Sequence, residues 1–232
     1  MKARDLKLAR EKRGWSQKEA ADRLGVSQPY LSMLETGKRS LSPQLVQKAM
    51  HVYQLPPTFL PCTGLSERPE LLDNQTLAEG LGRLGYPGFA YLRTRRRTKN
   101  PAEVLLAALS KDDLEARLTE ALPWLLLHYA DGLDTSWLVD QARVHNLQNR
   151  LGFVANLARR AAEATPRYQH RARVLRQLEQ NLERSRLARE DTLCQTSLPE
   201  AKRRWLEENR PPEARHWNLL TDWRPETLRH AN

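Results

Sequence analysis

The chain has 232 residues, of which 40% are apolar and 28% are charged, and its formal net charge is +10 at pH 7. This length allows one or two domains with cores of useful size. Six tryptophans argue against a wholly disordered chain, and the apolar runs are far shorter than the ~20 residues of a membrane span. Cys62 and Cys194 have no ligand-like spacing, so we expect neither a disulfide framework nor a zinc site and predict a reduced, cytosolic protein. A positive excess on such a protein favours a polyanionic partner, most often nucleic acid.

The N-terminal part of the chain carries most of the excess charge. Residues 1–65 contain 11 Lys and Arg against 5 Asp and Glu, a net charge of +6. We predict that residues 1–60 form a first domain of several short helices.

Residues 61–100 are predicted to be a partly ordered linker. Residues 61–70 are rich in Pro, Gly, Ser and Thr, and several glycines interrupt any long helix over 71–92. A tight basic run closes the segment and consists of Arg93, Arg95, Arg96, Arg97 and Lys99. Its role is open between a solvated loop, an accessory contact with nucleic-acid phosphates and a contact with an acidic partner.

The remaining residues, 101–232, are predicted to form a larger helical domain. Asn100 begins a helix through residue 109, and Ser110 followed by Asp113 is a capping signature that predicts a helix over 111–129. Pro123 is expected to kink or split that helix. Asp134 is expected to cap a helix over 135–145.

Later helices of this region show apolar stripes. One stripe, expected to be core, consists of Leu147, Leu151, Val154, Leu157 and Ala161. A long polar helix is predicted from Pro166 to about residue 189. One face of it carries a leucine seam, Leu175, Leu178 and Leu182. This seam either packs in the core or forms a short coiled coil between two copies of the chain. Another helix is predicted over 199–209, and the tail after residue 212 has no firm pattern. Because no strand alternation exceeds a few residues, the fold class is all-α.

The most specific motif spans residues 16–39 and indicates two short helices joined by a tight turn. Ser16 with Glu19 forms a capping box for the first helix, and Gly25 suits the left-handed conformation that ends it. Ser27 caps the second helix, and the first turn of this helix tolerates Pro29. The second helix has the form of a recognition helix, whose first residues meet base edges in the major groove.

This motif resembles the lambda-repressor/Cro-like helix-turn-helix family, the XRE family, over about residues 6–60. The elements that carry the resemblance are Arg10, Ser16–Gln17, Ala21, Gly25–Val26–Ser27, Leu31–Ser32, Glu35, Gly37 and Arg39. The resemblance implies a bundle of four or five helices, with the first four at residues 7–12, 17–24, 28–35 and 43–53, the last of them capped by Ser42.

The resemblance also implies a set of DNA-binding residues. Gln17 is expected on a phosphate near a helix N-terminus, and Lys38 and Arg39 are expected on the DNA backbone. The expected base-reading positions are Ser27, Gln28, Pro29, Ser32 and Met33. Two of these depart from the family, because Pro29 offers no side-chain hydrogen bond and Met33 replaces a commonly polar or basic residue.

Other residues of the motif are expected to be structural. Arg10 and Glu35 fit an ion pair that ties the first helix to the third, and Trp15 is expected to pack over the bundle. Tyr30 is open between packing and phosphate contact. A dimer is expected, because one helix-turn-helix reads few base pairs and the family commonly binds two-fold sites with half-sites roughly 34 Å apart.

The sequence predicts no catalytic residues, no cofactor and no metal site. It has no Gly-rich phosphate loop, no nucleophile elbow and no metal-binding histidine pair. Arg210 with His216, and Arg224 with His230, have a spacing similar to the catalytic motif of the all-helical HEPN ribonucleases. Prolines interrupt both pairs where that family requires a regular helix, so we interpret all four as surface residues.

Two functions are compatible with these features. The first is a sequence-specific DNA-binding regulator, expected to be a homodimer on double-stranded DNA and without a membrane partner. The second is an antitoxin whose C-terminal helices bind a toxin-like partner protein while the N-terminal domain controls its own promoter. Residues 100–109 and 147–153 resemble helix-turn-helix regulators encoded beside toxin-like enzymes.

Overall fold

A computed structural model describes residues 1, 3–62, 73–92, 97–228 and 230. The chain forms two compact units, Met1–Cys62 and Thr63–Asn232. The described residues are mostly helical, with a single pair of two-residue strands, so the all-α class is confirmed.

The first unit is a bundle of four helices. They are α1 (Ala3–Lys12), α2 (Gln17–Leu24), α3 (Gln28–Glu35) and α4 (Pro43–Tyr53), followed by a 3-10 turn (Pro57–Phe59). The bounds of α2, α3 and α4 agree with those implied by the family resemblance, whereas α1 begins four residues earlier, at Ala3 instead of Lys7. Ser42 caps α4 as expected, since its hydroxyl accepts a hydrogen bond from Leu45 N at 3.3 Å.

The core of this bundle is built from one face of each helix. Its buried members are Leu6, Ala9, Ala20, Ala21, Leu24, Leu31, Leu34, Leu45, Ala49 and Tyr53. Trp15, Val26 and Tyr30 pack against it and are partly buried, so the expected packing of Trp15 is confirmed. The centre of the Trp15 ring lies 5.5 Å from the centre of the Tyr53 ring. The Arg23 guanidinium lies over the Trp15 ring, 4.2 Å from the ring centre.

The second unit contains the remaining elements. Its helices are α5 (Asn74–Arg83), α6 (Pro101–Leu109), α7 (Ala116–Tyr129), α8 (Thr135–Val144), α9 (Gln148–Ala164), α10 (Gln169–Glu183), α11 (Glu200–Asn209) and α12 (Pro212–His216). Its strands are β1 (Asp191–Thr192) and β2 (Leu219–Leu220). Single 3-10 turns lie at Pro87–Phe89, Ala130–Gly132, Pro166–Tyr168 and Pro225–Thr227.

Helix α9 lies at the centre of the second unit and packs against α7 and α10. Its predicted apolar stripe is buried, which confirms that it is core. The α10 seam, Leu175, Leu178 and Leu182, is also buried within this unit. These leucines are therefore core residues and are not exposed for the short dimer coil considered above.

The segment before α7 differs from the prediction. Ser110 follows the end of α6 and donates its hydroxyl to Ala107 O at 2.9 Å, so it does not cap a following helix. Asp113 instead accepts hydrogen bonds from Ser197 N and Ser197 Oγ at 3.0 and 2.8 Å. The next helix begins at Ala116 and continues through Pro123, so it is not split there.

Two other boundaries also differ. The chain after Thr165 first makes a 3-10 turn, and α10 then runs only from Gln169 to Glu183. Within the predicted linker, α5 is a regular helix that packs against α6 and α7, so residues 74–83 belong to the second unit.

The segment after α10 and the tail each contribute one strand to a small parallel pair that the sequence pattern did not predict. Asp191 pairs with Leu219 and Thr192 with Leu220. Arg150 of α9 anchors this pair through Asp191, with Nε–Oδ2 and Nη2–Oδ1 distances of 2.7 and 2.9 Å. Arg150 Nη1 also donates to the carbonyls of Leu109 and Lys111, so one buried side chain joins α9, the end of α6 and β1.

Candidate nucleic-acid interface

The turn between α2 and α3 is fixed by the capping residues that the sequence predicts. Ser16 Oγ accepts from Glu19 N at 3.2 Å, and Ser16 N donates to Glu19 Oε2 at 2.8 Å, which completes the capping box. Gly25 ends α2 with φ 63° and ψ 40°, a left-handed conformation that favours glycine. Ser27 Oγ then accepts from Tyr30 N at 3.3 Å and begins α3.

The base of α3 is held by the expected ion pair. Arg10 Nε and Nη2 donate to the two carboxylate oxygens of Glu35 at 2.7 and 3.0 Å, and Glu35 is only 6% exposed. The hydrogen bond to Glu35 raises the pKa of Arg10 above its ordinary value. The expected structural role of this pair is confirmed, because it joins α1 to the end of α3.

The same carboxylate also orients the first residue of α2. Gln17 Nε2 donates to Glu35 Oε2 at 2.9 Å, and Gln28 Nε2 in turn donates to Gln17 Oε1 at 3.0 Å. A continuous chain of hydrogen bonds therefore runs from Arg10 to the exposed N-terminal end of α3. The Gln17–Gln28 contact was not predicted from the sequence; the available signal is that each glutamine directly follows an N-cap serine.

This chain leaves Gln28 with unused hydrogen-bonding groups. Within the described part of the molecule, its second amide N–H and its Oε1 have no partner. A glutamine with one donor and one acceptor can bond both N7 and N6 of adenine in the major groove. Gln17 likewise keeps one N–H, beside the open backbone N–H groups of the α2 N-terminus, which suits a phosphate oxygen.

The outer surface of α3 brings together the predicted base-reading positions. Leu31, Leu34 and Glu35 face the core. Ser27, Gln28 and Pro29 are exposed, and Ser32 and Met33 are partly exposed. Tyr30 packs against the core and is partly buried.

The two predicted backbone-contact residues follow α3. Lys38 and Arg39 are both exposed. Their turn is fixed by Gly37, which has φ 75°, and by the hydrogen bond from Arg39 N to Met33 O at 3.2 Å. The structure therefore brings the eight predicted DNA-binding residues of the first unit to α3 and its immediate neighbours.

The basic run is only partly described. Arg93, Arg95 and Arg96 lie outside the described residues. Arg97 and Lys99 are exposed, and Asn100 follows them as the N-cap of α6.

The histidine pairs considered above have other partners. Arg210 Nη1 contacts Glu190 Oε2 at 2.9 Å and Leu219 O at 3.2 Å, whereas His216 Nε2 lies 2.7 Å from Glu183 Oε2. Arg210 and His216 thus contact different carboxylates. His230 contacts the Tyr86 ring at 5.2 Å.

The second unit also has a shallow cleft of about 270 Å³. Its lining residues are Asn74, Asp113, Leu114, Glu115, Gln195 and Ser197. Asn74 donates to Glu115, and the hydrogen bonds from Ser197 lower the pKa of Asp113. Across the described residues, no group of three or more His, Cys, Asp or Glu is arranged to hold a metal.

Residues 6–60 match the model of a helix-turn-helix family. The matched segment covers the capped α2–α3 pair, and the N-terminal domain is therefore a helix-turn-helix domain of the XRE type. This family is a DNA-binding and not a catalytic domain, and the match supports a DNA-binding regulator in general terms. No match was found among curated proteins or among solved structures. None of the described helices has the length and apolar character needed to cross a lipid bilayer.

Proposed function

We propose that this protein is a sequence-specific transcriptional regulator that reads the major groove with α3, the helix capped by Ser27. The observation that carries this proposal is the exposure of Gln28 and the hydrogen-bonding groups that its side chain leaves free. Its side chain is exposed at the first residue of α3, is oriented by Gln17, and keeps one donor and one acceptor for a base edge. The helix-turn-helix family of the domain supports the same assignment.

The proposal divides the interface into two roles. Gln17, Lys38 and Arg39 contact phosphates and set the register of the domain on the duplex, because Lys38 and Arg39 carry positive charge and Gln17 keeps a free amide N–H donor. The residues that contact bases are Ser27, Gln28, Pro29, Ser32 and Met33. Phosphate contacts supply affinity for any sequence, whereas base contacts supply the difference between sequences.

We assign an accessory backbone contact to the basic run Arg93, Arg95, Arg96, Arg97 and Lys99. Arg97 and Lys99 support this role, because both are exposed. Five positive charges in seven residues would release several counterions from DNA on binding.

The protein is further proposed to bind as a homodimer and to require no cofactor. A dimer doubles the number of base pairs read, and two recognition helices then occupy successive major grooves. The α10 seam is buried within its own unit, so the dimer contact must use another surface.

The alternative function is an antitoxin, in which the second unit binds a toxin-like protein. The feature that favours this reading is a separate helical domain with large apolar side chains on its surface. Val144 is 69% exposed and Trp205 is 47% exposed. Purification of the chain with the products of its neighbouring genes separates the two readings, since a stable complex with a neighbouring protein supports the antitoxin.

The test of the main proposal is selection of bound sites from random double-stranded DNA with the full chain at physiological ionic strength. A single enriched motif supports the proposal, and a two-fold motif also supports the dimer. Gln28→Ala should then lose about 1–3 kcal/mol at one position of that motif and little on unrelated DNA. Gln75→Ala, which changes an exposed glutamine in the first turn of α5, is the matched control. Absence of any enriched sequence would refute the proposal.

A further inference from the structure

The exposed surface of α3 is divided into a polar half and an apolar half. At about 100° per residue, Gln28 and Ser32 lie side by side, one turn apart. Pro29 and Met33 form a second such pair, rotated toward the other side of the exposed face. The core-facing residues Leu31 and Leu34 lie opposite.

The apolar half cannot read a base by ordinary hydrogen bonding. Pro29 has a hydrocarbon ring and is exposed, and Met33 has a thioether that is a weak acceptor and is partly exposed. Among the groups that base pairs present in the major groove, the apolar one is the methyl on carbon 5 of thymine. The same methyl group in the same place distinguishes 5-methylcytosine from cytosine.

We propose that Pro29 and Met33 together form a contact site for the 5-methyl group of a pyrimidine in the operator. This inference rests on the proposed function, and it adds the chemical identity of part of the operator. In unmodified DNA the recognised base is thymine. In methylated DNA, 5-methylcytosine at the same position satisfies the same contact.

The position of the methyl group relative to the base read by Gln28 follows from the helix. Pro29 is adjacent to Gln28, and Met33 lies one turn later, about 6 Å further along the axis. Successive bases of a strand are about 3.4 Å apart. The methyl-bearing pyrimidine is therefore expected within about two base pairs of the adenine bonded by Gln28.

Met33 is held for this contact by the end of its own helix. Its carbonyl accepts from Arg39 N at 3.2 Å and from Thr36 Oγ1 at 3.3 Å, which fixes the last turn of α3. The side chain retains the flexibility of an unbranched thioether, which can adjust to a methyl group. A fixed backbone with an adaptable apolar tip suits a small apolar target.

The test uses the enriched site from the selection described above. Each thymine is replaced in turn by deoxyuridine, which removes the methyl group and keeps every hydrogen-bonding atom. Binding of the full chain is measured by fluorescence anisotropy. We expect about a fourfold loss of affinity per methyl contact, at one or two positions near the base read by Gln28.

A second substitution in the DNA tests the methyl group in a different base. Replacing the critical T·A pair by C·G should weaken binding, and replacing it by 5-methylcytosine·G should recover about fourfold. Met33→Ala should bring the thymine-to-uracil affinity ratio close to one. Met50→Ala, which changes a partly buried methionine of α4, should leave that ratio unchanged. The ratio is internal to each variant, so a change in folding stability does not imitate the effect.

The inference fails if the full chain binds its enriched site but is insensitive to loss of every thymine methyl. It also fails if that sensitivity persists undiminished in both Met33→Ala and Pro29→Ala. Absence of any enriched site is a different result, because it overturns the proposed function itself.

Discussion

Gln28 Nε2 donates a hydrogen bond to Gln17 Oε1 at 3.0 Å, and this contact joins the first residues of two successive helices. Each glutamine follows a serine N-cap, so each lies where its helix presents open backbone N–H groups. The contact couples a residue proposed to hold phosphate to one proposed to read a base. It therefore gives a physical route by which correct docking on the DNA backbone orients the base-reading side chain.

The first prediction is a coupling between these two residues. On the enriched site, Gln17→Ala and Gln28→Ala should each weaken binding. The double variant should lose less than the sum of the two, by about 0.5–3 kcal/mol, because either substitution alone breaks the shared hydrogen bond. Dissociation constants of the four proteins, measured at one salt concentration, give this coupling.

The same cycle on unrelated DNA is its control. There the coupling should vanish, since no base rewards the orientation of Gln28. Additive losses on the enriched site would mean that the Gln17–Gln28 contact has no part in recognition.

The second prediction concerns the basic run. Arg95→Ala combined with Arg96→Ala should reduce the slope of log affinity against log salt by about 2, because each neutralised phosphate contributes about 0.9. The loss of affinity should be similar for all sequences. Binding measured from low to physiological salt provides the slope.

Arg173→Ala combined with Arg184→Ala is the matched control for this change in charge. Both arginines are exposed on or just after α10, and their removal lowers the net charge by the same amount. An equal change of slope in the two double variants would show that the basic run acts only through overall charge.

The capped α2–α3 pair was predictable from sequence because its signals are local. Ser16, Glu19, Gly25 and Ser27 act within a few residues of themselves, and the structure confirms each of these caps. The Arg10–Glu35 pair was expected through the family resemblance, whereas the link from Glu35 through Gln17 to Gln28 depends on side-chain directions that spacing alone does not give.

The sequence predictions that proved wrong concern places where a distant segment of the chain competes with a local signal. Ser110 and Asp113 have the spacing of a capping box, but Asp113 bonds Ser197, which lies 84 residues away in sequence. The β1–β2 pair has only two residues in each strand, too few to show alternation. Its position depends on Arg150 and Asp191, whose contact joins distant parts of the chain.

The third prediction concerns the packing of the tail on α9. A Cβ atom at Gly152 would lie 2.4 Å from the Trp217 ring, and both residues are buried. Gly152→Ala should therefore destabilise the second unit by about 1–3 kcal/mol, since the ring or α9 must shift. Denaturant unfolding followed by circular dichroism measures this change.

Gly80→Ala in α5 is the control for the general effect of replacing a helical glycine. A Cβ there would meet Val104 at an ordinary 3.9 Å. This substitution should stabilise the unit by up to about 1 kcal/mol, because alanine restricts the unfolded chain. If Gly152→Ala is also neutral or stabilising, the close packing of Trp217 on α9 is wrong.

The fourth prediction separates the two thiols by their reactivity. Cys194 is fully buried, and burial raises the pKa of its thiol to about 11. At pH 8 this group stays protonated in the folded chain, because its pKa lies above the pH, and the reactive thiolate fraction is roughly one in a thousand. Cys62 is partly exposed, so it should react first with a thiol reagent. Mass spectrometry of the native protein at pH 8 should find Cys62 modified and Cys194 intact, with both modified in denaturant. Equal labelling of the two cysteines in the native state would contradict this prediction and show that the segment after α10 opens readily. If Cys194 is protected in the native protein but is labelled faster in Gly152→Ala, the packing of Trp217 helps to keep this segment closed.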